Sequence, residues 1–93
     1  MAQVTIKIPT QLRSATGGEG TVRAEGETVQ GVLEHLFTAH PELRDSLTDS
    51  QGDLRRFVNV YLDGEDIRFG DGLGTPVADR QELQILPAVA GGR

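Results

Sequence analysis

The fold turns on Glu82-Leu83-Gln84-Ile85-Leu86, followed by Pro87-Ala88-Val89-Ala90-Gly91-Gly92-Arg93. The first five residues read as a last strand. The residues after them are small and close on Gly-Gly. Such a tail can thread a narrow channel, because glycine has no Cβ to obstruct it. With Arg93 removed, Gly92 becomes terminal and its carboxyl becomes the reactive group. Taken alone, the tail also reads as an ordinary small, flexible terminus. The choice therefore rests on the body of the chain.

Val4, Ile6 and Ile8 alternate with Thr5 and Lys7, the period of a half-buried strand, and Pro9 closes it. Thr16-Gly17-Gly18-Glu19-Gly20 is a turn cluster. Val22 and Ala24 suggest a returning strand, which makes a hairpin with a long loop. Thr28 stands where a helix N-cap belongs. Val29, Val32, Leu33, Leu36 and Phe37 then recur at helical spacing, and Pro41 ends the run. Leu43 and Leu47 anchor a short turn or second helix. Phe57-Val58-Asn59-Val60-Tyr61-Leu62 is the strongest strand, and Asp63-Gly64 is a turn signal. Ile67 and Phe69 are expected on one face of a short strand, and Gly70 to Gly74 as loop.

The order is hairpin, helix, then strands with short connections. One mixed sheet covered on one face by one main helix satisfies it, an α+β fold of β-grasp type. In that arrangement the last strand pairs parallel with the first and lies centrally. Residues 1–87 form the expected domain, and 88–93 a flexible C-terminal tail bearing Gly-Gly.

Composition narrows the function classes. Ninety-three residues make one domain with a small core. Fourteen acidic residues against nine basic ones give a net charge of −5, which argues against a nucleic-acid binder. The absence of cysteine removes disulfides and thiol catalysis. No apolar run approaches a membrane span and no signal peptide is legible, so a cytoplasmic protein is expected. No catalytic base in a pocket is legible, so the chain does not read as an enzyme.

Three stretches give the chain a family likeness: Arg56-Phe57-Val58-Asn59-Val60-Tyr61, Glu65-Asp66-Ile67-Arg68-Phe69, and Ile85-Leu86-Pro87-Ala88-Val89-Ala90-Gly91-Gly92. Through them it resembles the ubiquitin-like sulfur carriers of the MoaD/ThiS family, and among these the CysO type that works with a cysteine synthase. The likeness runs over nearly the whole chain, and its most specific part is Pro-x-Val-Ala-Gly-Gly. The resemblance implies that an E1-like adenylating enzyme activates Gly92 with ATP and that a sulfide source converts it to a thiocarboxylate. It implies delivery of that sulfur to a synthase of the cysteine synthase type or to another thiol-forming enzyme. Gly91, Ala90 and Val89 would then be the tail residues that partners recognise. A ubiquitin-like modifier, joined through Gly92 to target lysines, is the alternative.

The family's mature members end at the second glycine, and this chain carries Arg93. Either Arg93 is a natural extension trimmed by a zinc metallopeptidase of the kind that accompanies some members, or it was added for expression. No cofactor is expected to be bound by the chain itself.

Among the remaining residues, Leu86, Pro87 and Phe69 are candidates for partner docking. Phe57 and Phe69 read first as core residues, with an exposed docking patch as the other reading. His35 and His40, five apart, do not share a face as helical metal ligands would, so no metal is assigned. Asp63, Glu65 and Asp66 read as a solvated turn, since they lack the spaced ligands of a calcium loop. Arg55 and Arg56 read as a solvated strand entry.

Overall fold

The computed structural model describes residues 2–55 and 58–87. Among the described residues five strands form one sheet. They are β1 (Ala2–Lys7), β2 (Thr21–Gly26), β3 (Val58–Leu62), β4 (Glu65–Asp66) and β5 (Glu82–Pro87). Their lateral order is β2-β1-β5-β3-β4. β5 lies between β1, which it pairs in parallel, and β3, which it pairs antiparallel. The last strand is therefore central, as its sequence suggested.

Two helices follow β2: α1 (Val29–Ala39) and α2 (Pro41–Leu47). The Thr28 hydroxyl accepts from the Gly31 N–H at 3.2 Å, one of the donors a helix start leaves open. Val29, Val32, Leu33, Leu36 and Phe37 are all buried. Leu43 and Leu47 are buried too, which fixes the second, shorter helix against α1 and the Thr10–Thr16 segment. Facing them are Val4, Ile6 and Ile8, together with Val58, Val60, Leu83 and Ile85. Alternation puts one face of each strand into this core and leaves the other free.

Gly26 lets α1 come close to the sheet. A Cβ at Gly26 would lie 2.5 Å from the Val32 nitrogen and 2.7 Å from the Gly31 carbonyl carbon. Asp63 and Gly64 both take positive φ, 51° and 87°, as the tight turn from β3 to β4 demands.

Three expectations need correction. Thr10–Thr16 is a 3-10 helix, where the sequence suggested loop leading into the glycine cluster. Gly72–Gly74, inside the expected loop, is also a short 3-10 turn. Ile67–Phe69 is a 3-10 turn as well, and not a strand. Its side chains diverge by about a third of a turn per residue, so positions two apart no longer share a face. Ile67 is buried, and Phe69 is 85% exposed. The core reading of Phe69 therefore fails. The cause is local: the Asp66 carboxylate accepts from the Arg68 N–H and bends the chain off the strand direction.

Candidate docking face and tail exit

The free face of the sheet is built from the alternate residues of the central strands. Glu82, Gln84 and Leu86 of β5 are exposed, opposite in phase to buried Leu83 and Ile85. Beside them β1 places Thr5 next to Glu82 and Lys7 next to Gln84. On the other side β3 places Tyr61 opposite Gln84 and Asn59 opposite Leu86. No helix among the described residues covers this face. Lys7 and Glu82 make an ion pair at 3.7 Å with both side chains about half exposed, so it contributes little.

The last described pair of β5 with β3 is Pro87 opposite Val58. Of the docking candidates, Leu86 is 39% exposed and Phe69 is 85% exposed, the two exposed large hydrophobic residues among those described. Pro87 holds the last described rung of β5. Phe57, and the tail candidates Val89, Ala90, Gly91, Gly92 and Arg93, lie outside the described residues, as does Arg56.

One polar cluster on this side went unrecognised in the sequence. The Asp66 carboxylate accepts from Arg68 Nε at 3.2 Å and Nη2 at 2.8 Å, besides the Arg68 backbone N–H at 2.9 Å. Nη2 also donates to Asn59 Oδ1 at 2.6 Å. The Arg68 side-chain hydrogen bond, then its backbone hydrogen bond, hold the Asp66 carboxyl below its ordinary value against the opposing effect of burial. The Arg68 guanidinium is raised by the same hydrogen bond and by the charge of Asp66. Asp66 is thus buried and paired, which corrects its reading as part of a solvated turn. The available signal was the Asp-x-Arg spacing, the two-residue reach of a side chain that caps its own turn.

The other singled-out residues have structural roles or solvent positions. Asp63 accepts from the Glu82 N–H at 2.9 Å and from Gln81 Nε2 at 3.1 Å, which ties the β3–β4 turn to the start of β5. His35 Nδ1 accepts from the Glu25 N–H. Arg55 is exposed, as expected, and its backbone N–H donates to the Leu47 carbonyl at 2.9 Å. Among the described residues no group of three or more His, Asp or Glu side chains is placed to hold a metal. No helix among them is long and apolar enough to cross a membrane.

A central last strand, a helix on one face of a mixed sheet and a bare opposite face define a ubiquitin-like β-grasp domain. The ThiS family model matches residues 6–92, and the chain belongs to that family. It is 47% identical over 91 residues to the sulfur carrier protein CysO of Mycobacterium tuberculosis, covering 96% of this chain and 98% of that one. The CysO chain from the Amycolatopsis orientalis BexX/CysO complex superimposes with a TM-score of 0.86 at 46% identity, covering 96% of this chain and 99% of that one. Small archaeal modifier protein 1 of Haloferax volcanii is 35% identical over 78 residues, 81% of this chain and 85% of that protein.

Proposed function

We propose that this chain is a sulfur carrier with no active site of its own, acting in the cytoplasm in cysteine biosynthesis or a related sulfur-incorporation pathway. The observation that carries the reading is the position of β5. It is the middle strand of a ThiS-family sheet, and the Gly-Gly tail follows its last rung directly. The 47% identity to mycobacterial CysO supports the pathway.

Arg93 is hydrolysed off by a zinc metallopeptidase, which frees the Gly92 carboxylate. An E1-like enzyme joins a carboxylate oxygen to the α-phosphorus of ATP, and pyrophosphate leaves. A sulfide equivalent then attacks the acyl carbon, and AMP departs with the oxygen. The thiocarboxylate sulfur is a soft anion that adds to an electrophilic carbon of a substrate held by an acceptor synthase, giving a carrier thioester. Hydrolysis, or an acyl shift onto the acceptor's amine followed by peptide hydrolysis, then breaks the acyl link and frees the carrier carboxylate. For the cysteine route the acceptor would be a serine-derived substrate that the synthase activates with its own pyridoxal phosphate. The cofactors belong to the partners. What the carrier supplies is reach and docking. Ala88 to Gly92, fully extended, span at most about 17 Å, so the acceptor carbon must lie within that depth of the docked sheet face.

The complex of an Amycolatopsis relative with BexX supports a synthase-like partner that grips a carrier of this shape. The likeness to an archaeal modifier protein supports the second reading, conjugation of Gly92 to target lysines. Both begin at the same adenylate and differ in the attacking nucleophile.

The test is intact-mass analysis of the chain ending at Gly92, incubated with an E1-like enzyme, ATP and a sulfide source. The expected product has one oxygen replaced by sulfur. Lysine adducts without any thiocarboxylate would favour the modifier reading. No change in mass with a competent enzyme would remove both.

A further inference from the structure

Arginine carries five N–H donors. In Arg68 the Nε donor and both Nη2 donors are directed at Asp66 and Asn59. The two on Nη1 have no acceptor among the described residues. The side chain is nevertheless 63% exposed, while that of Asp66 is 9% exposed. The carboxylate is therefore inside and the cation outside, so an approaching molecule meets the guanidinium. An exposed arginine normally gives up side-chain rotamer entropy when it is held in place. Here folding has already fixed the fork, and a further acceptor at Nη1 gains without that cost.

Its location matters as much as its rigidity. Asn59, which holds Nη2, stands opposite Leu86, one rung before the last described pair of β5. The next residue after Arg68 is Phe69, the most exposed large hydrophobic among the described residues. An oriented cation is thus joined to the strand row that carries one exposed apolar residue and is followed in sequence by the other. Interface anchors commonly combine an aromatic residue with an arginine.

We propose that Arg68 is a preorganised anchor for a carboxylate side chain on the enzyme that receives the tail, with Asp66 and Asn59 as positioning residues. This rests on the carrier reading and adds the group by which the docking face recognises its partner. The partner presents an aspartate or glutamate to that guanidinium. Its carboxylate meets Nη1, and the buried Asp66 keeps the fork aimed.

The probe is the Amycolatopsis BexX protein, titrated into the chain ending at Gly92 and followed by calorimetry and by the Arg68 Nε–H resonance. Arg68→Lys keeps the charge and loses the fork, and it should weaken binding about tenfold or more, the equivalent of 1.4 kcal/mol. Asp66→Asn and Asn59→Ala should weaken it less, and Asp66→Asn should add nothing in an Arg68→Ala background. The Arg68 resonance should shift on binding, and binding should depend less on salt in Arg68→Ala than in the unsubstituted chain. Melting curves accompany each variant. Lower melting temperatures with unchanged affinity of the folded protein would make Arg68 a structural clamp and overturn the anchor. Weaker binding with unchanged salt dependence would point to a neutral acceptor and overturn the carboxylate. Sulfur loading of Gly92 is measured separately. A chain that is loaded yet does not bind BexX overturns the anchor while leaving the carrier reading standing.

Discussion

The backbone N–H of Glu25, on the outer edge of β2, donates to Nδ1 of His35 on α1 over 2.7 Å. β2 is an edge strand, and its outward amides are open to pairing with another chain. His35 closes one of them from the helix side. The contact also fixes the tautomer, with the proton on Nε2. His35→Ala should cost about 1 kcal/mol of stability, the usual worth of one such hydrogen bond. The Glu25 amide should then exchange its hydrogen faster while those of β1 and β5 keep theirs. Unchanged exchange at Glu25 would show that the imidazole does not protect the edge.

Gly26 sets how closely α1 lies on the sheet. A methyl group there meets helix backbone at 2.5 Å, and backbone cannot swing aside as a side chain can. Gly26→Ala should destabilise the fold by about 1–3 kcal/mol through overpacking. Gly31→Ala is the control. Its Cβ would find its nearest neighbours at 3.7 Å, and alanine favours a helix interior, so it should be neutral or stabilising. Urea denaturation of the two variants decides the point.

Ile67 and Phe69 should respond in opposite ways to truncation. Ile67 is buried under the sheet edge, so Ile67→Ala should cost about 2–5 kcal/mol. Phe69→Ala should change stability by no more than about 0.5 kcal/mol, since the ring is in solvent. Under the proposed function it should still weaken partner binding. A large loss of stability from Phe69→Ala would contradict its exposure.

Asp66 gives stability a dependence on pH. Its carboxyl is held below the ordinary value by Arg68, so the folded state binds the proton less readily than the unfolded chain. The contribution is fully present above the ordinary carboxylate range and is lost as pH falls through the lowered value. Asp66→Asn removes it. The difference in melting temperature between wild type and variant should therefore shrink on acidification below that range. A difference that is constant with pH would mean that Arg68 does not stabilise the ionised form.

Local patterns made much of the architecture legible. Val4, Ile6 and Ile8 announced β1, and the stripe from Val29 to Phe37 announced α1, because alternation and helical spacing are written in neighbouring residues. The tail was legible because Gly-Gly after an apolar strand is a feature of the chain itself. The central place of β5 also followed, since one helix with few strands leaves few ways to close a mixed sheet.

Other features depended on residues far apart in sequence. The outcome at Phe69 turned on whether the chain continued as strand after Asp66, and the decision came from Arg68. Its side chain reaches Asn59, nine residues earlier, across the β3–β4 turn. The sequence shows Asp66 as one more acidic residue in a polar turn. Only the folded chain puts its carboxylate inside, its partner outside, and both beside β3, the strand that pairs with the one leading to the tail. Periodicity records which side of an element faces the core. It does not record which polar groups meet when elements pack, and those meetings built the Asp66, Arg68 and Asn59 cluster.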